Sequence, residues 1–195
     1  MTSERGFHVI SISLLEVAEV LKTKYNGKFV NCLKECDKSA RALMARVVQD
    51  FPCFDDSHLY KGQKVAIHKR AQILVADLWQ LFEGQGLCAF DDIDSITMFA
   101  DYRVPQSLLY FGAFAYSDDL MDFLKSEKLL LSGDAREVEI RGCSIEAVER
   151  IVQRVVELGV DMNAIQVDNF LWSFRREKVE EMEAFPFHRV RSVYY

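Results

Sequence analysis

The chain has 195 residues, a mass of 22.5 kDa and a formal charge of −6. It is 50% apolar and 28% charged, which excludes a disordered chain. No stretch approaches the ~18 consecutive apolar residues of a membrane span, and the first residues lack the apolar core of a secretory signal. The pI of 5.3, without a basic block, argues against a surface for duplex nucleic acid. The length fits one domain.

The cysteines do not form the pattern of a disulfide framework. Their number is odd and no CxxC pair occurs: Cys32, Cys36, Cys53, Cys88 and Cys143. No histidine is near enough to complete a familiar zinc spacing, so no metal site is predicted. We expect buried free thiols in a reducing compartment, the cytoplasm with the nucleus as a second location.

Apolar residues at helical spacing dominate the first part of the chain. One stripe predicts the first helix, which Asn26-Gly27 ends: Leu14, Leu15, Ala18 and Leu21. A second helical run is predicted over 29–35, and Asp37 is a plausible N-cap for a third helix over 39–49.

Turn residues divide the middle of the chain. Residues 55–65 are predicted to form a loop with a turn at Lys61-Gly62, holding at most a short hairpin. A strong helical pattern resumes over 67–83. Pro105 starts a further helix over 105–114, and Ser117 caps the next one.

The last third of the chain mixes a predicted loop with two helices. Residues 132–139 are predicted to be a loop, and the alternation in 136–142 indicates a brief strand. Helices are predicted from Ser144 to Gly159 and over 164–182. These elements predict an all-α bundle of about seven helices with at most a short hairpin.

The densest group of reactive side chains lies at the predicted start of a helix, from Phe99 to Gln106. Asp101 and Arg103 are two positions apart and flank Tyr102, beside the free N–H groups of a helix N-terminus. This arrangement could cradle an anion or a polar ring. The alternative is a local salt bridge between Asp101 and Arg103, with Tyr102 as packing.

Two further segments could take part in a site. His68-Lys69-Arg70 places cationic side chains at a helix start, where they oppose the helix dipole. That placement is a mild hint of a bound anion, and a solvated charged turn is the favoured explanation. The aromatic and basic tail 187–195 could fold back over a pocket or fray as a plain terminus.

Four long segments carry a resemblance to a known family: KRAQILVADLW at 69–79, FDDIDSITMFADYRVPQ at 90–106, REVEIRGCSIEAVE at 136–149 and FHRVRSVYY at 187–195. They closely resemble the queuosine salvage proteins, the queuosine 5′-phosphate N-glycosylase/hydrolases. The resemblance runs from about Leu14 to Tyr195. It implies an all-helical fold similar to DNA glycosylases.

The resemblance also implies an activity and its residues. Family members hydrolyse the N-glycosidic bond of queuosine 5′-phosphate, release queuine for reuse in tRNA modification, and need no metal or organic cofactor. The implied partner is this small nucleotide, with no direct nucleic-acid or membrane contact. By motif, Asp101 matches the catalytic aspartate and Lys69 a ligand-contacting lysine. Arg103, Tyr102 and Phe99 are expected to bind substrate, with Phe99 or Tyr102 stacking on the flat base.

Family members carry about as much chain again before the part that this sequence resembles. We therefore expect the C-terminal half of a family member, with a divergent start over 1–13 and a single helical domain over 14–195. Two functions stay open. One is an active N-glycosidase, in which an ionised Asp101 stabilises the cationic sugar and activates water while Lys69 binds phosphate or ribose. The other is a catalytically incomplete fragment that binds or regulates. A nucleic-acid glycosylase is the rival at the level of the fold.

Overall fold

The computed structural model of the chain describes the backbone of residues 3–195 and the side chains of residues 11–195. The predicted divergent start at residues 1–13 therefore lies mostly outside the described side chains. Helices predominate within the described range, which confirms the predicted all-α class. None of the described helices is long and apolar enough to cross a membrane.

The described residues form nine α-helices and two small sheets. The helices are α1 (Ser3–Lys24), α2 (Phe29–Lys34), α3 (Ala40–Asp50), α4 (Lys69–Leu81), α5 (Val104–Tyr110), α6 (Asp118–Lys125), α7 (Ala135–Glu157), α8 (Ala164–Glu177) and α9 (Val179–Met182). The strands are β1 (Ser57–Tyr60), β2 (Gln63–Ala66), β3 (Leu129–Leu130) and β4 (Arg189–Val190). Strands β1 and β2 are antiparallel, whereas β3 and β4 are parallel.

The chain divides into two compact units. The first comprises the chain through Asp56, residues 70–96 and Tyr194, and the second comprises residues 57–69, 97–193 and Tyr195. Every residue of the candidate site described below belongs to the second unit.

The first unit buries one face each of α2, α3 and α4. Its core side chains include Cys32, Leu33, Leu43, Val47, Phe51, Ala71 and Val75. The apolar stripe predicted for α1 does not form a buried face, since Leu14 is 66% and Leu15 71% exposed. The core of this unit therefore comes mainly from the helices that follow α1.

The start of α3 differs from the prediction that Asp37 is its N-cap. Asp37 has a φ of 43°, and the cap is Ser39, whose side chain accepts a hydrogen bond from Ala42 N. Asp92 adds a second cap from elsewhere in the chain. Its carboxylate accepts hydrogen bonds from Ala40 N at 2.5 Å and from the Ser39 hydroxyl at 2.9 Å. Two side chains therefore occupy the helix entrance, as free N–H groups there require.

Replacing Asp92 by alanine should lower the free energy of unfolding by about 1–2 kcal/mol at neutral pH, because a helix cap is lost. Burial raises the pKa of Asp92, but the bonds from Ser39 and Ala40 outweigh it and leave the pKa below its usual value. A carboxyl whose pKa is lowered by folding stabilises the folded state at a pH above its unfolded pKa of ~3.9. That stabilisation is lost as the pH falls through the pKa of the folded state. In urea unfolding, the difference in the free energy of unfolding between wild type and Asp92→Ala should therefore become smaller as the pH falls. The exposed neighbour Asp91 is the control, since Asp91→Ala should change little, and a gap that is constant with pH would contradict the prediction.

The second unit begins with the hairpin. Lys61 and Gly62 form its two-residue turn with φ values of 49° and 80°, as the twist of paired strands favours. The predicted turn is confirmed. His68 has a φ of 50°, so α4 begins at Lys69 rather than at the predicted residue 67.

The strand predicted at residues 136–142 is wrong, because this segment is the first part of the long helix α7. Asp134 caps α7 by accepting a hydrogen bond from Arg136 N. The alternating charges misled the prediction. Glu137 and Arg141 are four positions apart and both side chains are 0% exposed, so they are part of the helix face that packs inward.

Helices α5, α7 and α8 build the core of the second unit. Its buried residues are Ile67, Met98, Ala100, Val104, Leu108, Val148, Ala164, Val167 and Leu171. A capping box between Asn163 and Gln166 starts α8. The helix predicted over 164–182 is divided at Lys178 into α8 and α9. The tail does not fray, since its strand β4 pairs with β3.

Candidate active site

Asp101 organises the entrance of α5. Its Oδ1 accepts hydrogen bonds from Arg103 N at 2.7 Å and from Val104 N at 2.9 Å. The predicted side-chain salt bridge to Arg103 does not form, because the guanidinium of Arg103 instead donates to Gln106 Oε1 at 3.1 Å. Asp101 is only 8% exposed, so both contacts lie in a largely water-free environment.

The two carboxylate oxygens of Asp101 differ in their hydrogen bonding. Oδ1 is held by two backbone donors, whereas Oδ2 makes no hydrogen bond to any residue in the described part of the chain. The carboxylate is thus fixed in orientation with one oxygen left for another molecule. Such a group can orient water or face a developing positive charge.

A second carboxyl lies beside this segment. Asp168 on α8 is 4% exposed, and its Oδ1 accepts a hydrogen bond from Phe99 N at 3.0 Å. The pKa of Asp168 is raised to about 7. Burial is the main cause, and the charge of Asp101 acts in the same direction. The Phe99 N–H and the charge of Lys69 act in the opposite direction. Asp101, Asp168 and Lys69 therefore share one electrostatic environment.

Asp168 is the residue that sequence reasoning missed. The available signal was an acid inside an apolar helical pattern, because the buried positions of α8 are Ala164, Ile165, Val167, Asp168 and Leu171. An acid in such a row is either paired or protonated, since a lone buried charge is costly.

The cations at the start of α4 do not act as one cluster. The His68 ring lies 3.1 Å from the Ser57 hydroxyl, and Arg70 stacks over the ring of Phe54 at 4.9 Å. Lys69 is the one whose charge acts on Asp168. The three side chains therefore have different surroundings in the structure.

Tyr102 and Arg103 turn toward the tail. The Arg103 guanidinium lies 4.8 Å from the ring centre of Tyr102 and 4.3 Å from that of Phe187. The ring of Tyr102 also packs on Phe187 at 5.4 Å and on Tyr195 at 5.8 Å. The tail thus folds back onto this motif, and both side chains already have partners within it.

A buried polar network supports the backbone just before Asp101. Arg141 Nε donates to Ala100 O at 2.9 Å, and Arg141 also pairs with Glu137 at 3.3 Å. The Tyr195 hydroxyl donates to Glu137 Oε1 at 2.8 Å. Burial, assisted by Arg141, lowers the pKa of His188 to about 3, so this neighbour of Tyr195 is neutral.

The arrangement suits acid–base hydrolysis. Asp101 and Asp168 are carboxyls whose environments differ, and such a difference in environment is how enzymes assign one group as base and another as acid. Lys69 supplies a positive charge beside them, which suits an anionic substrate.

The chain matches the model of the family described as "Queuosine salvage protein" over residues 5–195. It is 47% identical over 189 residues to the queuosine 5′-phosphate N-glycosylase/hydrolase of Mus musculus, covering 93% of this chain and 56% of that protein. The protein of the same name from Schizosaccharomyces pombe is 45% identical over 186 residues, covering 90% and 53%. That of Sphaerobacter thermophilus is 38% identical over 184 residues, covering 93% and 56%. The chain thus spans about half the length of these relatives. The resemblance found in the four segments is confirmed, and the chain belongs to the queuosine salvage protein family.

Proposed function

We propose that this chain hydrolyses the N-glycosidic bond of queuosine 5′-phosphate and releases the base queuine. The observation that carries the proposal is the carboxylate of Asp101, fixed through Oδ1 and open at Oδ2 in a buried setting. Its motif belongs to a family whose relatives are named for this activity.

Asp101 acts on the sugar and on the attacking water. Cleavage of a glycosidic bond builds positive charge on the sugar, and enzymes that cleave glycosides place a carboxylate beside it. The free Oδ2 stabilises this charge and takes a proton from water as the water attacks. Burial strengthens the interaction because little solvent screens it.

Lys69 binds the anionic part of the substrate. Its ammonium contacts the 5′-phosphate or a ribose hydroxyl, and a charge-assisted hydrogen bond to phosphate is among the stronger polar contacts. Lys69 is the first residue of α4, and its charge acts on Asp168.

Replacing Lys69 by methionine should raise the KM for queuosine 5′-phosphate by about 10- to 100-fold, with a smaller effect on kcat. Hydrogen bonds to charged groups contribute about 1.5–3 kcal/mol, which corresponds to this range. Steady-state kinetics of queuine release measures both constants. The matched control is Lys128→Met, which removes an exposed lysine of the same unit and should leave KM unchanged. An unaltered KM in Lys69→Met would contradict the binding role.

The direct test follows queuine release from queuosine 5′-phosphate by liquid chromatography. The mouse relative serves as the positive control. Release by both proteins supports the proposal. Release by the mouse protein alone would overturn it and favour the alternative, a catalytically incomplete fragment that binds or regulates, because the chain spans only 56% of that relative.

A further inference from the structure

Asp168 has no task in the steps assigned to Asp101 and Lys69, although its carboxyl accepts a hydrogen bond from Phe99 N, two residues before Asp101. We propose that Asp168 is the general acid that protonates the departing base, an inference that rests on the proposed glycosidase function. The base must leave with the electron pair of the broken bond, so a proton donor beside it lowers the barrier.

Asp168 is held in position by its backbone and by its carboxyl group. Its backbone belongs to α8, between the buried residues Val167 and Leu171. Its Oδ1 accepts the hydrogen bond from Phe99 N, two residues before Asp101. Because Oδ1 is occupied as an acceptor, the proton of the neutral acid resides on Oδ2. The donor oxygen therefore has a defined direction, as an acid catalyst requires.

The charges around Asp168 come from two places. Asp101, before α5, disfavours ionisation of Asp168, and Lys69, at the start of α4, favours it. From α7, the side chains on the shared core are apolar: Ile145, Ala147, Val148, Ile151 and Val152. Burial is the largest influence and places the pKa of Asp168 at about 7. The charge of Asp101 adds to the cost of ionising Asp168 and so favours its neutral form.

The step balances with one water and no other reactant. The bond between C1′ and the base nitrogen breaks, its electron pair goes to the base, and the proton on Asp168 Oδ2 goes to the base. The water oxygen bonds to C1′ and its proton goes to Asp101. The products are queuine and ribose 5-phosphate. Asp168 is then ionised and Asp101 protonated, and one proton exchanged through solvent restores the starting state.

The test compares wild type with Asp168→Asn between pH 6 and pH 9. At pH 6 we expect kcat/KM to fall by about 10²–10⁴-fold in the variant. Toward pH 9 the gap should narrow by about 100-fold, because wild-type Asp168, with a pKa of about 7, loses its proton while the variant has none to lose. The control Asp77→Asn changes a carboxyl of the other unit whose pKa burial also raises, and it should not alter the profile.

Two results would overturn the role of Asp168. A variant within about threefold of wild type at every pH would show that no acid was removed. An equal loss at every pH would indicate structural support without proton donation. Thermal unfolding of Asp168→Asn establishes that the variant folds, and a second variant, Asp168→Glu, should regain part of the pH-dependent rate because it restores a carboxylic acid.

The protonation state is also open to a measurement without substrate. In a ¹³C spectrum of aspartate carboxyls, the resonance that Asp168→Asn removes should titrate near pH 7 in the wild type. A midpoint below ~5 would contradict an acid that is protonated near neutrality. A wild-type chain that releases no queuine overturns the proposed function. An active wild type that Asp168→Asn matches at every pH overturns only the role of Asp168.

Discussion

Asp101→Asn should lower the kcat for queuine release by about 10²–10⁴-fold, the usual contribution of a positioned base. The asparagine side chain has nearly the same shape, and its Oδ1 can still accept the hydrogen bonds from Arg103 N and Val104 N. What disappears is the negative charge at Oδ2 and its capacity to take a proton. The loss should appear in kcat more than in KM, because that charge acts on the transition state.

Two further variants separate catalysis from folding. Asp101→Ala removes the acceptor as well as the charge, so it should match Asp101→Asn in activity but be less stable by about 1 kcal/mol. Asp134→Asn changes the carboxylate that caps α7 and should keep nearly normal turnover. Near-normal turnover in Asp101→Asn would refute the catalytic role. Equal loss in Asp134→Asn would indicate a general effect of neutralising a carboxylate at a helix start.

Elements with local signals were predictable from the sequence. The hairpin turn at Lys61-Gly62 needs two residues with positive φ, and the N-cap at Ser117 needs a short polar side chain before acids. Both signals depend on neighbours within a few positions. The predicted all-α class followed from the same kind of evidence, because most helices show apolar residues at helical spacing.

Failures occurred where distant residues decide the structure. The first turns of α7 were predicted as a strand because alternation is typical of strands, whereas the buried pair of Glu137 and Arg141 belongs to one helix face. The cap of α3 was placed at Asp37, whereas Asp92 reaches Ser39 across 53 positions. The exposed stripe of α1 shows that apolar spacing does not tell which surfaces meet.

The residues of the candidate site likewise divide into those that sequence motifs indicate and those that only the structure brings together. Asp101 and Lys69 could be assigned because both are part of motifs that resemble a family. Asp168 is 69 positions after Phe99 and is part of none of those motifs, so only the packed structure brings its carboxyl to Phe99 N. Tyr102 and Arg103 share the motif of Asp101, yet the structure gives both of them partners in the tail.

Glu137→Gln should lower the free energy of unfolding by about 3–5 kcal/mol, as expected when one partner of a buried ion pair is lost. Both side chains of the pair are fully buried, and Arg141 remains charged when Glu137 is neutralised. Glutamine keeps one acceptor oxygen, which can still accept from Arg141 and Tyr195, but its NH2 replaces the oxygen that accepts from Gly133 N. The loss therefore combines the uncompensated charge of Arg141 with the lost hydrogen bond from Gly133 N.

Urea unfolding of six proteins tests this prediction: wild type, Glu137→Gln, Glu146→Gln, Glu137→Leu, Arg141→Met and the double variant Glu137→Leu/Arg141→Met. Glu146→Gln is the control, because Glu146 forms an exposed pair with Arg150 at the same spacing on α7 and should cost less than ~0.5 kcal/mol. Glu137→Leu/Arg141→Met removes both charges and should be less destabilised than the sum of the single variants. It also removes the hydrogen bond to Ala100 O, so its turnover should fall even where the fold is retained. A Glu137→Gln variant within about 1 kcal/mol of wild type would contradict the predicted cost of leaving Arg141 without its charged partner.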